Sequence, residues 1–265
     1  GRGEQILAEA LGANRKEAII VTKCGVPWSE EKKTWVRNSS YEEITTSTEA
    51  SLRALNTDYI DLLLIHWPDP DRPFEIPMRA FADLMAAGKV RYVGVSNFSR
   101  EQIMECLKYG PLAAHQVGYN LFDRRMGPEM LPFCEEKGIG VMAYGSLAHG
   151  LLTGALTRET KFGEKDWRAR GNLFGLPLMA PGNFEKNLEV VEQLKGVARD
   201  AGRSVVQLAV AWVLRSSAIT VALTGARKPE EIEENALAVD WRLSKAELDQ
   251  IEKIMKGAAG TESAR

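Results

Sequence analysis

The sequence is poor in the groups that announce many common chemistries. It holds three cysteines and three histidines in 265 residues, and Cys24, Cys106 and Cys134 lie far apart without CxxC spacing. That pattern excludes a disulfide framework, and the thiols read as reduced and structural in a cytosolic setting. His115 and His149 lack paired ligands at metal spacing, so no metal site is expected. Neither charge dominates: 34 Lys+Arg stand against 36 Asp+Glu, a net charge of -2. Such a surface has no basic excess to hold a nucleic acid or an anionic membrane. Long hydrophobic runs are missing too. The most apolar stretch, Val205 to Ala226, is broken by Arg215-Ser216-Ser217, so it reads as a helix, a turn and a buried strand. Gly1 to Gly12 has no apolar signal-peptide core. There is no GxGxxG after a strand, no GxxxxGK(S/T), no GxSxG and no HExxH. A Rossmann dehydrogenase, a P-loop NTPase, an α/β-hydrolase and a zincin all lose support.

What is present is an ordinary globular composition, 45% hydrophobic and 26% charged, over a length that suits one α/β barrel of about 250 residues. Short apolar runs alternate with amphipathic stretches along nearly the whole chain. The runs Ala18–Thr22, Ile60–Ile65, Arg91–Val95, Ala114–Val117, Ile139–Tyr144 and Ile219–Leu223 are expected to be strands of a parallel sheet covered on both faces. Ser40-x-x-Glu43, Ser99-x-x-Gln102, Ser204-x-x-Gln207 and Ser244-x-x-Glu247 predict capping boxes at helix starts. Behind the third, Val205, Leu208, Ala209, Trp212 and Val213 form one apolar stripe. The segment from Gly145 to Asn187 departs from this rhythm and is expected to be a long functional loop, a lid or a cofactor strap.

Each strand run delivers polar or cationic side chains at its end: Lys23, His66, Ser96-Asn97, Gln116, Tyr144-Gly145-Ser146 and Gly225-Ala226-Arg227. In a closed parallel barrel those ends share the face where active sites lie. Taken singly, Lys23 is as well explained as a solvated loop lysine and His66 as a satisfied core histidine. The succession of six favours a site.

The segments Ile19-Ile20-Val21-Thr22-Lys23, Asp58-Tyr59-Ile60-Asp61 through His66-Trp67-Pro68, and Gly88-Lys89-Val90-Arg91 through Ser96-Asn97-Phe98 resemble the aldo-keto reductase family. Gln116-Val117-Gly118-Tyr119-Asn120, Tyr144-Gly145-Ser146-Leu147-Ala148-His149-Gly150-Leu151-Leu152-Thr153-Gly154 and Gly225-Ala226-Arg227-Lys228-Pro229 follow in the family's order. The resemblance implies a (β/α)8 TIM barrel forming a single domain over residues 1–265, with residues 145–186 strapping a nicotinamide dinucleotide. It implies a tetrad of Asp, Tyr, Lys and His, in which Lys23 matches the lysine and His66 the histidine. The Asp and Tyr precede a Gly-x-(S/G)-Glu segment that is matched here by Gly1-Arg2-Gly3-Glu4. An N-terminally truncated member is therefore expected, lacking the first two strands, the first helix and activity of its own.

By the same resemblance Ser96, Asn97 and Gln116 bond the nicotinamide carboxamide and Tyr144 stacks on its ring. Gly145, Ser146 and Leu147 strap the pyrophosphate, and Gly225, Ala226, Arg227, Glu234 and Asn235 take the adenosine end. Arg227 and Lys228 against Glu231 imply NADP (NADPH) as cofactor, with small aldehydes or ketones as substrates in a cytoplasmic enzyme. Substrate choice is expected from loops such as Gly25–Ser39 and the chain end Lys256–Arg265. Two rivals remain: a non-catalytic nicotinamide-binding sensor subunit of the same fold, and a barrel lyase or isomerase using Lys23 as a Schiff base.

Overall fold

Each of the six apolar runs contributes a strand to the computed structural model, which describes residues 1–262. The strands are β1 (Val21–Cys24), the short β2 (Trp28–Ser29) and β3 (Thr34–Trp35), then β4 (Ile60–Ile65), β5 (Val90–Ser96), β6 (Ala114–Gly118), β7 (Gly140–Tyr144) and β8 (Ile219–Ala222). The first starts at Val21 rather than Ala18 because side chains claim the backbone before it. Arg15 donates to the Ala18 carbonyl at 3.0 Å, and the Ile20 N–H goes to the Asp61 carboxylate at 2.9 Å.

The chain forms two units, Gly1–Gln116 with Glu136–Gly140, and Val117–Glu135 with the described residues from Val141 onward. In the first, β1 pairs with β4, β4 with β5 and β5 with β6, all parallel. Helices α1 (Arg2–Leu11), α2 (Tyr41–Leu55), α3 (Glu75–Ala86) and α4 (Arg100–Cys106) join these strands. Ile60, Leu63, Leu64 and Ile65 of β4 are fully buried, as a strand covered on both faces requires. In the second unit β7 pairs with β8, again parallel. Around them stand α6 (Asn183–Asp200), α7 (Val205–Leu214), α8 (Pro229–Ala236) and α9 (Lys245–Met255), while α5 (Met130–Glu136) precedes β7.

Three of the four expected capping boxes are complete, at Ser99, Ser204 and Ser244. The fourth is half made: Ser40 accepts from the Glu43 N–H at 3.2 Å, but the Glu43 carboxylate does not reach back. Helix α7 also differs from its expected single stripe, since every residue from Val205 to Val213 is buried. Trp212, on the stripe, is itself fully buried. Its ring stacks on Tyr119 at 5.3 Å and is covered by the guanidinium groups of Arg215 at 3.6 Å and Arg124 at 4.6 Å. The long loop is shorter than expected, because α6 already begins at Asn183; it contains two 3-10 turns, Ala148–Thr153 and Trp167–Arg170. Of the chain-end loop, residues 263–265 lie outside the described residues.

His115 on β6 is fully buried, and its Nε2 accepts the Phe98 N–H at 3.3 Å. Only the neutral ring can do this, and burial pushes its pKa down to about 4. A histidine depressed on folding contributes stability that is complete above its unfolded pKa of about 6.5 and is lost as pH falls towards the folded value. Urea unfolding at pH 7 and pH 4 is expected to show a loss of about 3 kcal/mol from this residue. His115→Gln should flatten that part of the profile, and an unchanged slope would refute the assignment.

Candidate active site

At the C-terminal ends of β1, β4, β5 and β6, the first unit brings together five of the expected site residues. Lys23 is the third residue of β1 and stands level with Leu64. His66 follows β4 directly, and its N–H donates to the Cys24 carbonyl at 3.0 Å. Asn97 joins the group. Its backbone N–H donates to the Gln116 carbonyl at 3.1 Å, and its Nδ2 donates to the His66 carbonyl at 3.1 Å and to Ser96 Oγ at 3.0 Å. It does so from a left-handed backbone, φ 62°, a conformation asparagine tolerates better than most residues. Ser96 and Gln116 are buried and face each other in the β5–β6 register.

The electrostatics favour a neutral imidazole beside a cation. Burial lowers the His66 pKa, and the Lys23 charge lowers it further. The Lys23 side chain is accessible at the strand end, yet the packing around its ammonium lowers its pKa as well. Among the described residues neither side chain is hydrogen-bonded or ion-paired to a phenol or a carboxylate.

In the second unit a cleft of about 850 Å³ gathers Gly145, Ser146, Leu147, Gly225, Ala226, Arg227, Glu234 and Asn235. Gly145 has φ +67°, and a Cβ there would sit 3.1 Å from the His149 ring, so this turn requires glycine. Ser146 is fully buried, and its Oγ donates to the Ala143 carbonyl at 3.2 Å. Its hydroxyl proton is thus turned to the backbone rather than to the cleft. Arg227 is held by Glu231, which accepts from the Arg227 N–H at 2.7 Å and from its guanidinium at 3.3 Å. Tyr144 ends β7 next to the cleft residues, and burial, then the nearby Asp123, raises its pKa.

A sequence model of the aldo/keto reductase family matches residues 1–256. The chain belongs to this family. It is 37% identical over 259 residues to aldo-keto reductase YhdN of Bacillus subtilis (strain 168), covering 97% of this chain and 76% of that protein. It is 33% identical to an NADH-specific methylglyoxal reductase of Escherichia coli (strain K12), covering 93% of this chain and 77% of that one. The glycerol dehydrogenase AKR11B4 from Gluconobacter oxydans superposes with a TM-score of 0.88 at 36% identity, over 95% of this chain and 76% of the other. The fold is accordingly of the aldo-keto reductase (β/α)8 type, represented among the described residues by six parallel strands.

Aldo-keto reductases use nicotinamide cofactors, and the cleft suits such a ligand. Its volume lies in the range of small-molecule sites, and Arg168 and Arg227 bring cations to it. Pro229 opens α8 at the first helical turn, where its missing N–H costs nothing. Among the lining residues that the sequence did not assign to the cofactor are His149 and Arg168. His149 takes φ 57°, and Arg168 Nη1 donates to its carbonyl at 3.2 Å while Asp166 holds the rest of the guanidinium. His149 stands in the Tyr144–Gly154 segment that carried the resemblance, but with no cofactor role assigned to it, and Arg168 lies in a loop with no period. Among the described residues no group of three potential metal ligands gathers, and no helix is long and apolar enough to cross a membrane.

Proposed function

We propose that this aldo-keto reductase reduces small aldehydes or ketones to alcohols in the cytoplasm with NADPH. The observation that supports this reading best is the Lys23 charge acting on a neutral His66, whose carbonyl is tied to Asn97. The bound cofactor supplies the hydride. Reduction also needs a proton for the developing alkoxide; a phenol acid, whose ordinary pKa is about 10, would have that pKa lowered by the Lys23 charge, although no phenol is bonded to Lys23 among the described residues. His66, kept neutral, can donate its N–H to the carbonyl oxygen and orient it. Ser96, Asn97 and Gln116 would hold the carboxamide, and Tyr144 would stack on the ring. Gly145, Ser146 and Leu147 would line the pyrophosphate through their backbone, and Gly225, Ala226, Arg227, Glu234 and Asn235 would take the adenosine end. Titration of the purified chain with reduced cofactor, followed by turnover with a panel of small aldehydes, tests the reading; absence of cofactor binding defeats it.

The choice of NADPH rests on charge. A 2′-phosphate adds about two negative charges, which an arginine can grip with two N–H donors. Arg227 has 86% of its side chain exposed and pairs with Glu231 only at the surface, where such a pair is worth little. Exchanging that partner for a phosphate is therefore cheap. Arg227→Ala is expected to weaken NADPH by about tenfold or more, the strength of a hydrogen bond to a charged group, and NADH far less. Equal losses for both cofactors in parallel titrations would reverse the assignment.

A second reading, a non-catalytic cofactor-binding subunit, is favoured by one observation: no phenol or carboxylate is bonded to Lys23 or His66 among the described residues. Intact cofactor binding without reduction would select it.

A further inference from the structure

Between Leu173 and Leu176 the chain reverses in a two-residue turn, closed by Leu173 N to Leu176 O at 2.7 Å and Leu176 N to Leu173 O at 3.1 Å. Phe174 and Gly175 occupy its centre with φ of 52° and 88°. Turns with two left-handed central residues favour asparagine, aspartate or glycine at the first place. A bulky aromatic residue there is an outlier, and such outliers persist only where the surroundings over-determine them.

Two sets of contacts do so here. The Phe174 ring meets Tyr144 edge-on at 5.7 Å and 62°, His149 at 5.1 Å and Trp167 at 5.5 Å. Its carbonyl accepts from Arg125 Nη2 at 3.0 Å. Arg125 is in turn fixed by a two-pronged pair with Asp123, with both contacts at 2.8 Å. Stability alone does not account for this arrangement. Leu173 and Leu176 at the ends of the turn are buried, but Phe174 stays 47% exposed and Trp167 44%, so burial of the Phe174 ring offsets its own backbone strain only in part. The cluster touches the cleft through His149, which belongs both to the ring cluster and to the cleft lining.

We propose that Phe174 is a positioning residue for the nicotinamide ring. It holds the plane of Tyr144 by edge contact, and the Asp123–Arg125 pair latches the turn that carries it. An edge-to-face contact of this kind fixes ring orientation, and a ring fixed before binding loses less freedom on stacking. The inference rests on the reading that Tyr144 stacks on the nicotinamide.

The test is NADPH binding to the whole chain, followed by quenching of tryptophan fluorescence, with dissociation rates from rapid mixing and thermal unfolding without cofactor. Phe174→Gly is expected to bind roughly 2- to 10-fold more weakly and release NADPH faster, the span of one aromatic pair. Its thermal midpoint should lie at or above that of Phe174→Ala, since glycine adopts φ 52° freely and alanine does not. Phe174→Tyr should restore affinity, and Arg125→Met should speed release with the ring still in place. Parent-like affinity and release in Phe174→Gly would overturn the proposal. So would a Phe174→Gly midpoint several degrees below that of the parent, which would make the ring a packing residue. A parent chain that binds neither NADPH nor NADH would instead remove the cofactor reading, and the proposal with it.

Discussion

The purified 265-residue chain is expected to bind a nicotinamide dinucleotide and yet to reduce small aldehydes about 10²–10⁴-fold more slowly than a relative with a phenol beside its lysine, the usual worth of a general acid. The two tasks draw on different residues. Binding is expected from the 850 Å³ cleft with Arg168 and Arg227. Proton delivery needs an acid next to Lys23, and among the described residues nothing acidic is bonded there. His66 does not substitute readily, because burial and Lys23 both lower its pKa and leave it unprotonated at neutral pH. Single-turnover oxidation of bound NADPH by excess aldehyde measures the step directly. Lys23→Met should leave cofactor affinity close to the parent value, since Lys23 does not line the cleft. Turnover in the ordinary enzymatic range of roughly 1–10³ s⁻¹ would show that another group supplies the proton.

Asp61→Ala is expected to destabilise the protein by about 3–5 kcal/mol, the loss seen when one partner of a buried ion pair is removed. Asp61 is 6% exposed and serves three donors: Arg15 Nη2 at 3.0 Å, Arg91 Nη1 at 2.9 Å and the Ile20 N–H at 2.9 Å. Arg15 and Arg91 also cover the Tyr59 ring, at 4.3 and 3.9 Å. Removing the carboxylate leaves the buried Ile20 N–H without its acceptor and takes the counter-charge from the Arg15 guanidinium, whose side chain is 12% exposed and keeps only neutral oxygens of Thr57, Ala18 and Tyr59 as acceptors. Arg91, at 55%, can turn to water and adds less. Asp61→Asn should cost less, because the amide oxygen still accepts from Ile20. The exposed Lys33–Glu30 pair provides the contrast: Glu30→Ala should fall within about 0.5 kcal/mol of the parent in the same urea titrations. If Asp61→Ala matched it, the network would have no structural weight.

The six parallel strands were legible because a buried parallel strand must be apolar at nearly every position, and β4 obeys this from Ile60 to Ile65 with only Asp61 as a polar member, whereas β1 and β8 differ from the expected double cover in having exposed residues. The strand-end residues were legible for the same reason, since Lys23, His66 and Gln116 interrupt apolar runs. The β2–β3 hairpin was not, because its ladder is two residues long and has no alternation to detect; Trp28 lies opposite Trp35, and Lys33 turns the corner with φ 49°. The ring cluster around Phe174 was equally hidden. Its members Tyr144, His149, Trp167 and Phe174 come from distant points of an aperiodic segment, and two of them take left-handed backbones that the sequence gives no glycine to signal. Glu43 shows the converse, where a correct local signal was only half used because Asn38 Oδ1 accepts the Ser40 N–H at 3.1 Å in its place.

The burial of all three thiols has a practical consequence. Packing raises each pKa, Cys106 to about 12 and Cys134 to about 11, with Cys24 also driven upward, so none is a ready nucleophile in the folded chain. An alkylating reagent can then reach a sulfur only during a transient opening. Cys24 and Cys106 lie in the first unit and Cys134 in the second. Mass-resolved labelling of the three positions over time would therefore act as a set of internal clocks, reading how often each half of the polypeptide breathes without any probe having to be introduced.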